Sequence, residues 1–160
     1  MTARVSAYIG IGANLGDART QVEQALANLG KLPHSKLTAQ SSLFCTAPVD
    51  AGGDDFINAV ARIDTELPAP ALLQQLQALE LAAGRERPFR NAPRTLDLDL
   101  LLYGEQVIAT PDLTVPHPRL TQRAFALIPL LQIAPFISIP GHGPAHQFVA
   151  QVADQAIRKI

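Results

Sequence analysis

Arg94-Thr95-Leu96-Asp97-Leu98-Asp99-Leu100-Leu101-Leu102 sets two carboxylates into a run of leucines. Leu96, Leu98, Leu100 and Leu102 recur every second residue, the pattern of a strand with one buried face, so Asp97 and Asp99 project together from the other face. Two residues of strand rise put their Cα atoms about 6.6 Å apart, a spacing at which carboxylates can converge on one or two hard cations. Without a cation they repel.

The segment before this strand is of a different character. Arg85-Glu86-Arg87-Pro88-Phe89-Arg90-Asn91-Ala92-Pro93-Arg94 carries four arginines, two prolines and no hydrophobic period, so it reads as a loop feeding the acidic strand. Charged loops are usually only solvated. Here, however, guanidinium forks arrive beside a cation-binding acid pair, which is the combination a polyphosphate needs. Farther upstream, Pro68 to Ala83 reads as a helix with Leu72, Leu73, Leu76, Leu79 and Ala83 on its apolar stripe and Gly84 past its end.

Phe56 to Ile63 reads as a strand, with Phe56, Asn58 and Val60 on one face and Ile57, Ala59 and Ala61 on the other. Asn58 is the odd residue there: an amide in an apolar strand is either a satisfied structural group or a reader of a heterocycle's hydrogen-bonding edge. Leu37 to Thr46 reads as one strand, followed by an Asp/Gly-rich loop. At the N-terminus, Val5 to Ile11 alternates as a strand into the turn Gly12-Ala13-Asn14-Leu15-Gly16-Asp17, and Asp17 caps a helix with Val22, Ala25, Leu26 and Leu29 buried, ending at Gly30. The glycines at 10, 12 and 16 do not fit the dinucleotide-binding spacing, so they are taken as turn and cap residues.

Downstream, Gly104-Glu105-Gln106 makes a turn and Val107-Ile108 is expected to pair back as a hairpin. Leu113 to Leu120 holds His117 between two prolines with Arg119 and Arg123 close behind, and Thr121 is placed as the cap of a helix through Leu131. Ile137 and Ile139 suggest a short strand, His142 and His146 exposed loop residues, and Gln147 to Ile157 a closing amphipathic helix.

With 160 residues, 48% of them hydrophobic, the chain can bury a core and is expected to form a single domain over residues 1–160. A net charge of −1 with scattered ions gives no nucleic-acid or membrane footprint. Cys45 is the only cysteine, which excludes an internal disulfide and fits a reducing, cytoplasmic setting. No Walker pattern or nucleophile elbow is present. The chemistry these residues support best is a magnesium-assisted phosphoryl or pyrophosphoryl transfer.

Arg90 to Leu101, with Tyr8 to Gly16, Phe56-Ile57-Asn58-Ala59 and Leu113 to His117 in order around it, resembles the 6-hydroxymethyl-7,8-dihydropterin pyrophosphokinase family of folate biosynthesis. The resemblance implies an α+β fold, a ferredoxin-like α/β sandwich whose mostly antiparallel sheet is flanked by helices. It implies a magnesium-dependent transferase that moves a pyrophosphoryl group from ATP to the pterin hydroxymethyl oxygen, with two Mg2+ ions held by Asp97 and Asp99. By the same resemblance Arg85 and Arg94 engage the transferring phosphates, and His117 and Arg123 bind ATP. Thr46, Val49, Phe56, Asn58 and Phe125 would bind the pterin. A monomer acting on small molecules is expected, the alternative being a pterin- or nucleotide-binding module of the same fold with impaired catalysis. The chain departs from the family pattern in having no loop tryptophan and in placing Pro118 after the histidine.

Overall fold

The computed structural model describes residues 4–14, 17–47, 55–83 and 96–160. In chain order the strands and helices are β1 (Val5–Ala13), α1 (Ala18–Leu29), β2 (Ser35–Gln40), β3 (Phe44–Thr46), β4 (Phe56–Thr65), α2 (Ala69–Ala82), β5 (Asp97–Tyr103), β6 (Ile108–Ala109), β7 (Thr114–Val115), α3 (Ala124–Ile133), β8 (Ser138–Ile139), β9 (Gly143–Pro144) and β10 (Ile157–Lys159). The main sheet runs β10-β3-β4-β1-β5, with β2 also on β4, and every pairing is antiparallel. Helices flank it, giving the α+β architecture.

Alternation along β1 and β4 divides the core in two. Ile9, Ile11, Ala59, Ala61 and Ile63 face α1 and α2 with Leu72 and Leu76, whereas Tyr8 and Val60 face α3 with Leu127 and Leu130. Each fully buried leucine contributes about 2 kcal/mol through the apolar area it removes from water. Asp17 caps α1 as expected, accepting the Thr20 N–H at 3.1 Å.

Several expectations change, each for a physical reason. Leu37 to Thr46 is two strands, because Ser41 replaces a ladder partner with its hydroxyl: Val60 N–H donates to Ser41 Oγ at 2.9 Å and Ser41 N–H to Val60 O at 2.8 Å. Gly12 and Ala13 lie within β1 rather than in the turn. Ile108–Ala109 pairs with Thr114–Val115 instead of folding back on β5. Thr121 does not cap α3; it lies in a 3-10 turn, Leu120–Gln122, and Arg123 holds the cap position with no side-chain bond of its own. The closing segment is a 3-10 helix, Ala145–Val152, followed by β10, which takes the edge of β3. Pairing with an open strand edge there overrides the amphipathic pattern.

The acidic strand itself carries the most consequential difference. Leu96, Leu98 and Leu100 pack toward α1 and α2, but Leu102 packs with Leu101 on the α3 side and Tyr103 takes the opposite face. The register slips between Tyr8 and Ile9, whose partners are Leu102 and Leu100. Leu101 is the extra residue of a β-bulge, and one extra residue exchanges the faces of everything beyond it. Tyr103, so turned, donates its hydroxyl to the Leu67 carbonyl. Tyr103→Phe should lower unfolding free energy by about 1 kcal/mol, because a partly buried carbonyl loses its partner; urea denaturation checks this, and an unchanged midpoint would remove the bond from the list of stabilising contacts.

Candidate active site

The site lies where the sheet face that α3 covers is left bare. Cross-strand partners share a face, so the register defines a row across four strands: Phe44 opposite Asn58, Asn58 opposite Gly12, and Gly12 opposite Asp97. The next row runs Val60, Gly10, Asp99. Between the Asn58 strand and the acid strand the floor therefore consists of two glycines. Two strand spacings, roughly 9.5 Å, separate Asn58 from Asp97 across it. A Cβ on Gly12 would lie 3.0 Å from Asn58 Oδ1, and one on Gly10 would touch Leu101 at 3.4 Å. Above this floor, with Asp97 and Asp99 on one side of it and Asn58 on the other, is a cleft of about 930 Å³ that His117, Arg119, Arg123, Thr46, Phe56 and Phe125 also line.

Among the residues for which the family resemblance implies pterin binding, Asn58 is 3% exposed and donates from Nδ2 to Thr46 Oγ1 at 2.9 Å. That bond fixes the amide orientation and turns Oδ1 over Gly12. Phe56 sits on β4 opposite Thr46, and Phe125 on the first turn of α3, where the Arg123 guanidinium lies 5.4 Å from its ring centre.

At the acidic end, the bulge leaves the Leu101 carbonyl without a β1 partner in the register, and it accepts the His117 N–H at 2.9 Å. His117 Nδ1 in turn accepts the Arg119 N–H at 3.2 Å, so a neutral imidazole carries its proton on Nε2. Burial holds the His117 pKa below the usual histidine value; the nearby Asp99 charge opposes this, and Arg123 and Arg119 reinforce it. His117 is thus a neutral N–H donor at pH 7.

Among the described residues no group of three or more His, Cys, Asp or Glu could hold a metal ion. Two carboxylates suit Mg2+ nonetheless, since that ion keeps several waters and is commonly held by one or two carboxylates plus substrate phosphates. Glycines opposite both acids leave room for such a hydrated, phosphate-bound ion.

The cleft brings together Asp97, Asp99, His117, Arg123, Thr46, Phe56, Asn58 and Phe125. Arg85, Arg94 and Val49 lie outside the described residues, as do the loop expected at 85–94 and all but Asp55 of the loop expected at 50–55. Sequence reasoning missed Gly10 and Gly12 as floor residues, although two glycines on one face of a strand are themselves a sign of close approach. Glu80 was also missed. It is a buried acid on α2 whose carboxylate accepts the Leu98 N–H at 2.9 Å, between the two aspartates of β5. Gln155 lines the cleft from 31 residues beyond Ala124, and no local pattern announces it.

The sequence model of the 7,8-dihydro-6-hydroxymethylpterin-pyrophosphokinase family matches residues 8–135. The 2-amino-4-hydroxy-6-hydroxymethyldihydropteridine pyrophosphokinase of Pseudomonas aeruginosa is 40% identical over 154 residues, covering 96% of this chain and 95% of that protein. The enzyme of the same name from Haemophilus influenzae is 38% identical over 157 residues, 98% of each chain. In structure, the chain is similar to wild-type Plasmodium falciparum HPPK-DHPS, with a TM-score of 0.72 at 12% identity over 94% of this chain. It spans 42% of that longer chain, and at this identity the likeness concerns the fold.

Proposed function

The chain belongs to the 7,8-dihydro-6-hydroxymethylpterin-pyrophosphokinase family, and from that membership we propose that it transfers the terminal pyrophosphoryl group of ATP to 6-hydroxymethyl-7,8-dihydropterin in folate biosynthesis. The hydroxymethyl oxygen forms a bond to the β-phosphorus, the bond from that phosphorus to the α-bridging oxygen breaks, the hydroxyl proton is released, and AMP leaves. The single observation that carries the assignment of ends is the Asn58, Gly12, Asp97 row. It sets an edge-reading amide and a carboxylate pair on one face with an open floor between them.

Asn58 Oδ1 and the Thr46 hydroxyl read the polar edge of the pterin, a flat ring that Phe56 and Phe125 would hold between two π faces. Val49 belongs to the same group by resemblance. Asp97 and Asp99 would hold two Mg2+ ions, which when bound would supply charge neutralisation of the phosphates and Lewis-acid polarisation. His117 donates from Nε2 and Arg123 from its guanidinium to phosphate oxygens, and Arg85 and Arg94 engage the transferring group. Alignment of the hydroxyl with the β-phosphorus is the chief contribution of such a site, since little covalent chemistry is left to protein groups.

No helix among the described residues is long and apolar enough to cross a membrane. With a net charge of −1, a cytoplasmic monomer working as one domain over residues 1–160, with neither nucleic acid nor membrane as partner, completes the proposal. Incubation with ATP, Mg2+ and the dihydropterin should yield AMP and the pterin diphosphate in equal amounts. Formation of ADP, or folded protein that binds both substrates without turnover, would replace this reading, the latter by a binding module of the same fold. Gly12→Ala should raise the KM for the pterin about tenfold, because its Cβ presses on Asn58 Oδ1 where Thr46 prevents retreat. The KM for ATP should change less, and steady-state kinetics with either substrate varied separates the two.

A further inference from the structure

Arg123 is an extended residue, φ −123° and ψ 114°, wedged between the 3-10 turn Leu120–Gln122 and α3. Such a break exposes backbone groups on both sides. The Ala124 N–H opens α3 and has no partner within the helix, and the Gln122 carbonyl closes the preceding turn. Both are met by one side chain. Gln155 Oε1 accepts the Ala124 N–H at 2.8 Å, and Gln155 Nε2 donates to the Gln122 carbonyl at 2.8 Å. The amide takes the place of a neighbouring strand's peptide group and brackets Arg123 from either side.

We infer that Gln155 is a positioning residue for the reaction, aiming Arg123 and Phe125 into the cleft. The inference rests on the function proposed above. Three observations favour it over a purely structural tie. Gln155 itself lines the cleft. The two backbone groups it holds flank Arg123, whose guanidinium lies over the ring of Phe125, so a shift there moves a phosphate-binding and a pterin-binding side chain together. Two residues later Ile157 pairs with Thr46, the partner of Asn58. The C-terminal segment therefore joins the pterin strand to the N-terminus of α3, and it does so beyond the residues 8–135 that the family model matches.

The fold supplies its own control. Gln132 makes an equivalent bridge outside the cleft, accepting the Ser42 N–H at 2.6 Å and donating to Ser42 Oγ at 2.8 Å. Gln155→Leu and Gln132→Leu each remove a two-point amide bridge of similar kind. We expect Gln155→Leu to raise the KM for both ATP and the pterin about fivefold, the loss of one or two hydrogen bonds' worth of fixed geometry. Gln132→Leu should lower the melting temperature while leaving both KM values at the wild-type level. In a cycle with Arg123→Ala, the ATP effects of Gln155→Leu should be strongly non-additive. Gln155→Glu retains the acceptor for Ala124 and should recover part of the pterin affinity.

Calorimetry with the pterin and with a non-hydrolysable ATP analogue plus Mg2+ reads the same shifts without turnover. If wild-type protein turns over and Gln155→Leu matches it in both KM values and both affinities, the inference is overturned, as it is if Gln155→Leu merely reproduces the Gln132→Leu pattern. If wild-type protein does not turn over, the proposed function fails instead; the affinities of Gln155→Leu then still decide whether Gln155 orders the cleft.

Discussion

Asp97→Ala and Asp99→Ala will each lower kcat by roughly three orders of magnitude or more, about 4 kcal/mol at 1.36 kcal/mol per tenfold, with the cooperative urea transition retained. The size follows from what the acids are asked to do. A triphosphate brings several negative charges to a face where the protein offers two carboxylates, and only metal ions make that juxtaposition favourable. One carboxylate fewer leaves a clamp with half its protein ligands, so the phosphates lose alignment as well as charge compensation. The fold should tolerate the change, because both residues sit on the cleft side of β5 and the strand is held by its pairing with Gly10 and Gly12 and by the Leu96, Leu98 and Leu100 face. Circular dichroism, urea melts and AMP formation measured on the same preparations check the claim. Turnover within tenfold of wild type in either variant would move the metal site elsewhere.

The acid pair was legible in the sequence because its two signals are local: alternation fixes the face, and adjacency in the strand fixes the spacing. Asn58 was legible for the same reason, as an amide on the Phe56 and Val60 face of an apolar strand, and the structure keeps it on that face. The bulge at Leu101 was not. A leucine run offers every register the same hydrophobicity, so nothing in Leu98 to Leu102 says which residue will be extra; the choice is made by how β1 and the His117 segment meet the strand. The glycine floor was missed because Gly12 was read as the start of a turn, and a glycine's absent side chain carries no period to place it. Gln155 and Ser41 were invisible for a related reason. Each acts by replacing a backbone partner that is distant in sequence, and only the assembled sheet shows which backbone groups are left in need of one.

Asn58→Leu will raise the KM for the dihydropterin by roughly a hundredfold while the KM for ATP stays within a few-fold of wild type, since a site built to hydrogen-bond a substrate edge discriminates strongly when that bond is removed. Leucine keeps the branched outline of the amide but is bulkier, in a position that is 3% exposed, so a stability cost of about 2–4 kcal/mol is expected from crowding and from the lost bond to Thr46, and a urea melt on the same preparation checks that the variant is folded. Phe56 and Phe125 would still offer their faces, and that is what makes the substitution informative: stacking alone holds many flat rings, whereas the amide's Oδ1, set over Gly12 by its bond to Thr46, asks for a ring with donors on that edge. Pterin affinity by calorimetry and KM with ATP saturating both read the loss. A pterin KM within threefold of wild type would mean that the ring's edge is read elsewhere, and Asn58 would revert to a structural amide tying β4 to β3. The hundredfold loss would instead fix the direction in which the substrate lies: its polar edge on β4, its hydroxymethyl arm reaching across the glycine floor toward the carboxylates of β5.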